Sequence, residues 1–142
     1  MNALNHALSG AIIAVLVPAP MIPLVAVATH FVLDAFPHAK TPDNIRDALK
    51  RPFAYTFYSD IALTFAATLL AWYLFPDKLW LILLGVSFAI LPDLLWFFNG
   101  KVAWLKPYFK FALWIQWAEK PWGWSLEILY SMIFVVVLIG LS

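Results

Sequence analysis

Two apolar runs, 57–75 and 79–98, are separated only by Pro76-Asp77-Lys78. Each is close to the ~20 residues that an α-helix needs to cross a hydrocarbon core of about 30 Å. A three-residue connection can only fold the second run back along the first, so the pair predicts an antiparallel helical hairpin. Such a hairpin has almost no polar face to turn toward water. The rest of the chain offers little to cover it, since only 12% of residues are charged and 64% are hydrophobic, with a mean hydropathy of +0.85. Soluble domains carry about 25% charged residues. The expected fold class is therefore all-α, a polytopic integral membrane helical bundle in which lipid covers most of the surface.

Prolines and polar clusters mark off three further segments. Residues 4–17 end at Pro18, Pro20 and Pro23, and residues 24–37 are closed by Pro37. Both are short for a membrane crossing and just reach if their ends extend to Asn2 and His38. Residues 126–141 form a fifth helix, giving one domain over 1–142 with about four to five transmembrane helices. Between the fourth and fifth lies 101–124, where Trp104, Tyr108, Phe109, Phe111, Trp114, Trp117, Trp122 and Trp124 alternate with lysines. That composition predicts an amphipathic aromatic helix lying in the membrane interface. Residues 1–20 lack a basic leader and a small-residue cleavage site, and they are read as mature protein.

Loop charge sets the expected orientation. Lys40, Arg46, Lys50 and Arg51 fall in one loop and Lys101, Lys106, Lys110 and Lys120 in another, against a single lysine at 76–78. The positive-inside rule puts both basic loops and the N-terminus on the cytoplasmic face of a bacterial or archaeal inner membrane. The net charge of +1 leaves no clustered basic excess for nucleic acid. With no cysteine, disulfides and thiolate metal sites are both ruled out. Membrane lipids are the expected partners, together with a homo-oligomer, because a few short spans bury little polar surface alone.

Within this apolar frame the stretch THFVLDAFPH stands apart. His30 and Asp34 are four residues apart on one helical face, a separation suited to two ligands of one divalent ion. His38 is a further turn along, about 12 Å from His30 at 1.5 Å per residue, and serves another purpose. Ionisable residues inside membrane segments are costly and mark function or internal pairing. Under the expected topology His6, His30, Asp34, His38, Asp60 and Asp93 all fall in the same cytoplasmic third, although they come from different segments. Asp93 follows Pro92, whose missing N–H opens the helix there. Asp60, after Ser59 at a helix start, also fits a capping role. Asp43 and Asp47 read as solvated partners of Arg46 and Lys50.

Three blocks resemble a known family. THFVLDAFP is similar to the histidine–aspartate helix of the membrane-bound metal-dependent hydrolases, the inner-membrane hydrolases described as LexA-binding. NHALSGAIIA at 5–14 resembles their opening, and ILPDLLW at 90–96 resembles their leucine-proline-aspartate segment. The resemblance implies metal-ligand roles for His6, His30, Asp34 and Asp93. After Asp93 the chain departs from the family pattern with Leu94, Leu95 and Trp96. The expected function is hydrolysis of a lipid-linked or headgroup ester or phosphate at a divalent metal, of zinc type, with Asp60 or His38 as general base. A metal-ion or proton transporter and a non-catalytic assembly subunit are the alternatives. The outer halves of the spans offer a transport path only Thr64, Thr68 and Ser87.

Overall fold

The computed structural model describes residues 1–40 and 49–142, and it is mostly helical. Arg46, Asp43 and Asp47 lie outside the described residues. Among the described residues six α-helices follow in order: α1 Ala3–Leu16, α2 Ile22–Asp34, α3 Phe53–Leu74, α4 Leu79–Leu94, α5 Lys106–Ile115 and α6 Trp124–Gly140. Short 3-10 turns join several of them, and two two-residue strands, β1 His38–Ala39 and β2 Glu119–Lys120, pair in parallel.

The long hairpin forms as expected. Helix α3 has 22 residues, and the stretch Pro76–Phe98 that contains α4 has 23, so both are long and apolar enough to cross a membrane. The other apolar helices are shorter. Helix α1 has 14 residues and α2 has 13, about 21 and 20 Å at 1.5 Å per residue. The extension of the second segment through His38 does not occur. Helix α2 stops at Asp34 because Pro37 disfavours helical backbone at the residue before it, and His38 instead enters β1. The expected continuous helix over 101–124 is also cut down. Its helical part is the ten residues of α5, which starts beside Pro107, and Pro121 and Gly123 end the segment in turns.

Helix α1 is the hub, packing against α2, α3, α4 and α6. Its neighbours come close because the contact residues are small. Ala7, Ala11, Ala14, Ala26, Ala67, Ala71 and Ala89 are all buried, with Leu8, Ile22, Ile82 and Leu138 filling the gaps. Small residues at helix contacts let the backbones approach closely, and the packing gained there holds the helices together. Gly10 and Gly85 mark the nearest crossing: a Cβ on Gly10 would lie 2.5 Å from the Gly85 carbonyl oxygen.

Directions along the bundle follow from two contacts. Lys78, in the α3–α4 turn, donates from Nζ to the Val15 carbonyl at 2.9 Å, so that turn and the C-terminus of α1 share one end. The N-termini of α1, α3 and α6 and the C-termini of α2 and α4 meet at the other. There the first amides of α1 are satisfied by carboxylates from two different helices. Asn2 N–H donates to Glu127 Oε1 at 2.9 Å, and the Ala3 and Leu4 amides donate to Asp60 Oδ2 and Oδ1 at 2.8 and 3.0 Å. The Asn2 side chain caps Asn5 N–H at 3.1 Å.

Substituting Gly85→Val should lower the thermal midpoint in detergent, with a cost of about 1–3 kcal/mol for overpacking. Gly140→Ala, which meets nothing within 4 Å, should leave that midpoint unchanged.

Candidate metal centre

Near the carboxylate-capped end of α1, four side chains converge. His6 from α1, His30 and Asp34 from α2, and Asp93 from α4 each offer a ligand atom, and these atoms all lie within 4.8 Å of one another. The i, i+4 spacing within α2 brings His30 Nε2 to 3.3 Å from Asp34 Oδ2. His6 Nε2 lies 3.2 Å from Asp34 Oδ1, and Asp93 faces both imidazoles at 3.8 Å. The two imidazole rings stack, with centroids 3.9 Å apart and planes inclined by 25°. His6, His30 and Asp34 are buried, whereas the Asp93 side chain keeps 29% of its surface open.

The tautomer of His30 is fixed by its surroundings. Its Nδ1 lies 2.8 Å from the Ala89 carbonyl, which can only accept, so Nδ1 carries the proton. A neutral ring then aims the Nε2 lone pair at carboxylate oxygens, an arrangement that repels unless a proton or a cation lies between. A ring nitrogen fixed by a backbone carbonyl is also the usual second contact of a metal-bound histidine. The Ala89 carbonyl is in the turn opened by Pro92, next to the Phe88 carbonyl that loses its donor. His6 is more exposed to the same problem. Neither of its ring nitrogens has a hydrogen-bond partner, although the residue is fully buried. Its 3.2 Å approach to Asp34 is close but not aligned as a hydrogen bond. Orphaned nitrogens of this kind are rare in folded proteins, and two imidazoles with two carboxylates match the donors that divalent ions take.

Further groups brace the cluster. The Met1 ammonium donates to Asp34 Oδ1 at 2.6 Å, and Gln116 Nε2 donates to Asp34 Oδ2 at 3.3 Å. Burial works against the charge on the Met1 amine, but the Asp34 and Asp93 carboxylates outweigh it and hold its pKa above the ordinary value. Tyr108 of α5 donates to the Pro92 carbonyl at 2.6 Å, and burial pushes its phenol pKa up, so it stays a hydroxyl. Asn5, fully buried, donates to the Glu127 carbonyl at 3.0 Å and accepts from Ser131 at 2.8 Å, tying α1 to α6. Asn2 is of a residue type that caps helix starts, a role the structure shows it taking. Nothing in the sequence marks Gln116 or Met1.

The two residues expected as bases fall elsewhere. Both oxygens of Asp60 accept α1 amides, which is a cap supplied by a neighbouring helix. His38 is fully buried in β1, opposite Glu119, with Nδ1 donating to the Phe36 carbonyl at 2.8 Å. Its Nε2 has no hydrogen-bond partner and is 3.9 Å from Glu119 Oε1. Burial lowers its pKa, keeping the ring neutral. No protein-family model matches the chain, and no curated protein or solved structure is significantly similar to it.

If Asp60 acts as a cap, Asp60→Ala should cost about 1–2 kcal/mol of stability. The same variant should leave metal content at the wild-type level, and Asp60→Asn should recover part of the loss. Thermal unfolding and elemental analysis in the same detergent check both.

Proposed function

We propose that this chain is a polytopic integral membrane protein that holds one divalent ion, of zinc type, through His6, His30, Asp34 and Asp93. In this reading it hydrolyses an ester or phosphate at headgroup depth. The observation that carries the metal is the pair of imidazoles: His6 is fully buried with no hydrogen-bond partner on either nitrogen, and His30, its Nδ1 committed to the Ala89 carbonyl, turns Nε2 toward Asp34 and Asp93. The ion would be bound without any cysteine, by nitrogen and oxygen donors alone. The likeness of three sequence blocks to membrane-bound metal-dependent hydrolases points the same way.

The membrane reading is supported by what the bundle turns outward. Of the 22 residues of α3 only Ala67 and Ala71 are buried, and Phe65 is 66% exposed. Trp72, Tyr73 and Trp80 form an exposed aromatic group at the α3–α4 turn. Tyr55, Tyr58, Trp104, Trp114 and Trp124 form a second at the metal-centre end. Between them the large outward side chains of α3 and α4 include Ile61, Leu63, Phe65, Leu69 and Leu83. Aromatic belts on either side of an aliphatic band are the signature of two membrane–water boundaries. In this reading the lysines and arginine at the metal-centre end support a cytoplasmic placement of that end and of the N-terminus.

A divalent ion in such a site polarises a phosphoryl or carbonyl oxygen and lowers the pKa of water to about 7. The residues supply the rest. Asp93 is the partly open member of the four, so a substrate meets the centre on its side. Gln116 and the Met1 ammonium hold Asp34 in place, and Tyr108 packs α5 over the Pro92 turn. Of the two expected bases, Asp60 is taken up by α1 amides and His38 is buried in β1, so neither is given the base role in this reading. One contact favours the non-catalytic reading: the Met1 ammonium already neutralises one carboxylate of the cluster without any metal.

Elemental analysis of detergent-purified protein separates the two. The proposal expects about one divalent ion per chain, lost in His30→Ala and Asp34→Ala. Metal-free wild-type protein that is still folded would leave only the structural reading. For the reaction, release of headgroup from vesicle lipid should disappear with a chelator and in Asp34→Ala.

A further inference from the structure

Charge at the metal-centre end is sorted by depth. Among the described residues there, Asp34, Asp60, Asp93, Glu119 and Glu127 are all buried or half-buried. Every exposed lysine and arginine among the described residues belongs to this end, including Lys40, Arg51, Lys101, Lys106, Lys110 and Lys120. Among the described residues no exposed acidic side chain sits at this end. Among the described residues the far end has only Asp77 and Lys78, whose ammonium binds the Val15 carbonyl.

Helix α5 is where this matters. One face carries Phe109 and Ala112, which are buried, and Tyr108, which reaches the Pro92 carbonyl. The opposite face carries Lys106, Lys110, Leu113 and Trp114, all exposed, and Trp117 follows just beyond, 75% exposed. Exposed indoles with ammonium groups beside them have an apolar body for the acyl boundary and a cation for the layer above it. The α5 face carries exposed ammonium groups and no exposed carboxylate of its own, and basic segments at a membrane are drawn to anionic lipids.

We infer that the outer face of α5, with the lysines flanking it, docks on anionic phospholipid headgroups and holds them beside the Pro92 turn at the end of α4. This rests on the reading of the chain as membrane-embedded, and not on the metal. The partner is the anionic bilayer surface itself: the exposed face joins apolar rings to ammonium groups, which a soluble anion would use only in part.

The test is tryptophan quenching in vesicles of phosphatidylcholine and phosphatidylglycerol at equal mole fraction, with one or the other brominated. A Trp72→Phe, Trp80→Phe background removes the far-end signal. Brominated phosphatidylglycerol should quench at least about twofold more strongly than brominated phosphatidylcholine. That preference should shrink at high salt and vanish in the combined Lys101→Gln, Lys106→Gln, Lys110→Gln, Lys120→Gln variant. Metal-site substitution His30→Ala should leave it intact. Equal quenching by the two lipids, or a preference that survives both salt and lysine removal, overturns the inference. Quenching by neither would sink the membrane reading and the inference with it. Should the lysine variant not fold, the salt dependence of the parent protein decides.

Discussion

A helix that begins in the interior of a protein has backbone amides with nowhere to go. Helix α1 begins that way, surrounded by four other helices, and its solution organises the molecule. Asp60 from α3 and Glu127 from α6 each reach in to accept the amides of residues 2–4, and Asp34 from α2 takes the Met1 amine. These carboxylates sit at the positive end of the α1 dipole, where negative charge is favoured. Three neighbouring helices are thereby fixed in register against the first. His6, one turn further in, is delivered to the His30–Asp34 face with no freedom to choose another position. The centre is a consequence of how the helix start is satisfied.

The same requirement explains why some polar groups are structural and others are open to chemistry. Asp60 has two acceptor oxygens, and each already accepts an α1 amide. His6 has two ring nitrogens and no hydrogen-bond partner for either. His30 has one nitrogen committed and one pointing at carboxylates. In a low-dielectric interior an unpaired polar group is expensive, so the groups that remain unpaired are the informative ones. By this criterion the two imidazoles and Asp93 define the centre more sharply than the distances alone.

Much of this was legible in the residues. The i, i+4 spacing of His30 and Asp34 survives directly as one face of α2, and loop parity alone brought His6 and Asp93 to the same end. The long hairpin followed from two apolar runs and a three-residue turn. What the sequence hid depends on contacts between distant segments. Nothing in ALNHALSGAIIAVL says that this short helix is the hub, because its alanines and Gly10 become meaningful only against Gly85 and Ala89. Asp60 looked like a cap for its own helix and instead caps another. Residues 101–124 read as one amphipathic helix, since aromatic and basic composition cannot reveal where prolines and the β1–β2 pairing break it.

The Lys78 ammonium on the Val15 carbonyl gives the hub helix a second anchor. Carboxylates grip α1 where it starts and a cation grips it where it finishes, each at the end its dipole favours. Sliding this helix along its own axis would therefore break charge-assisted contacts at both ends at once, which makes α1 the fixed rail against which its neighbours are set.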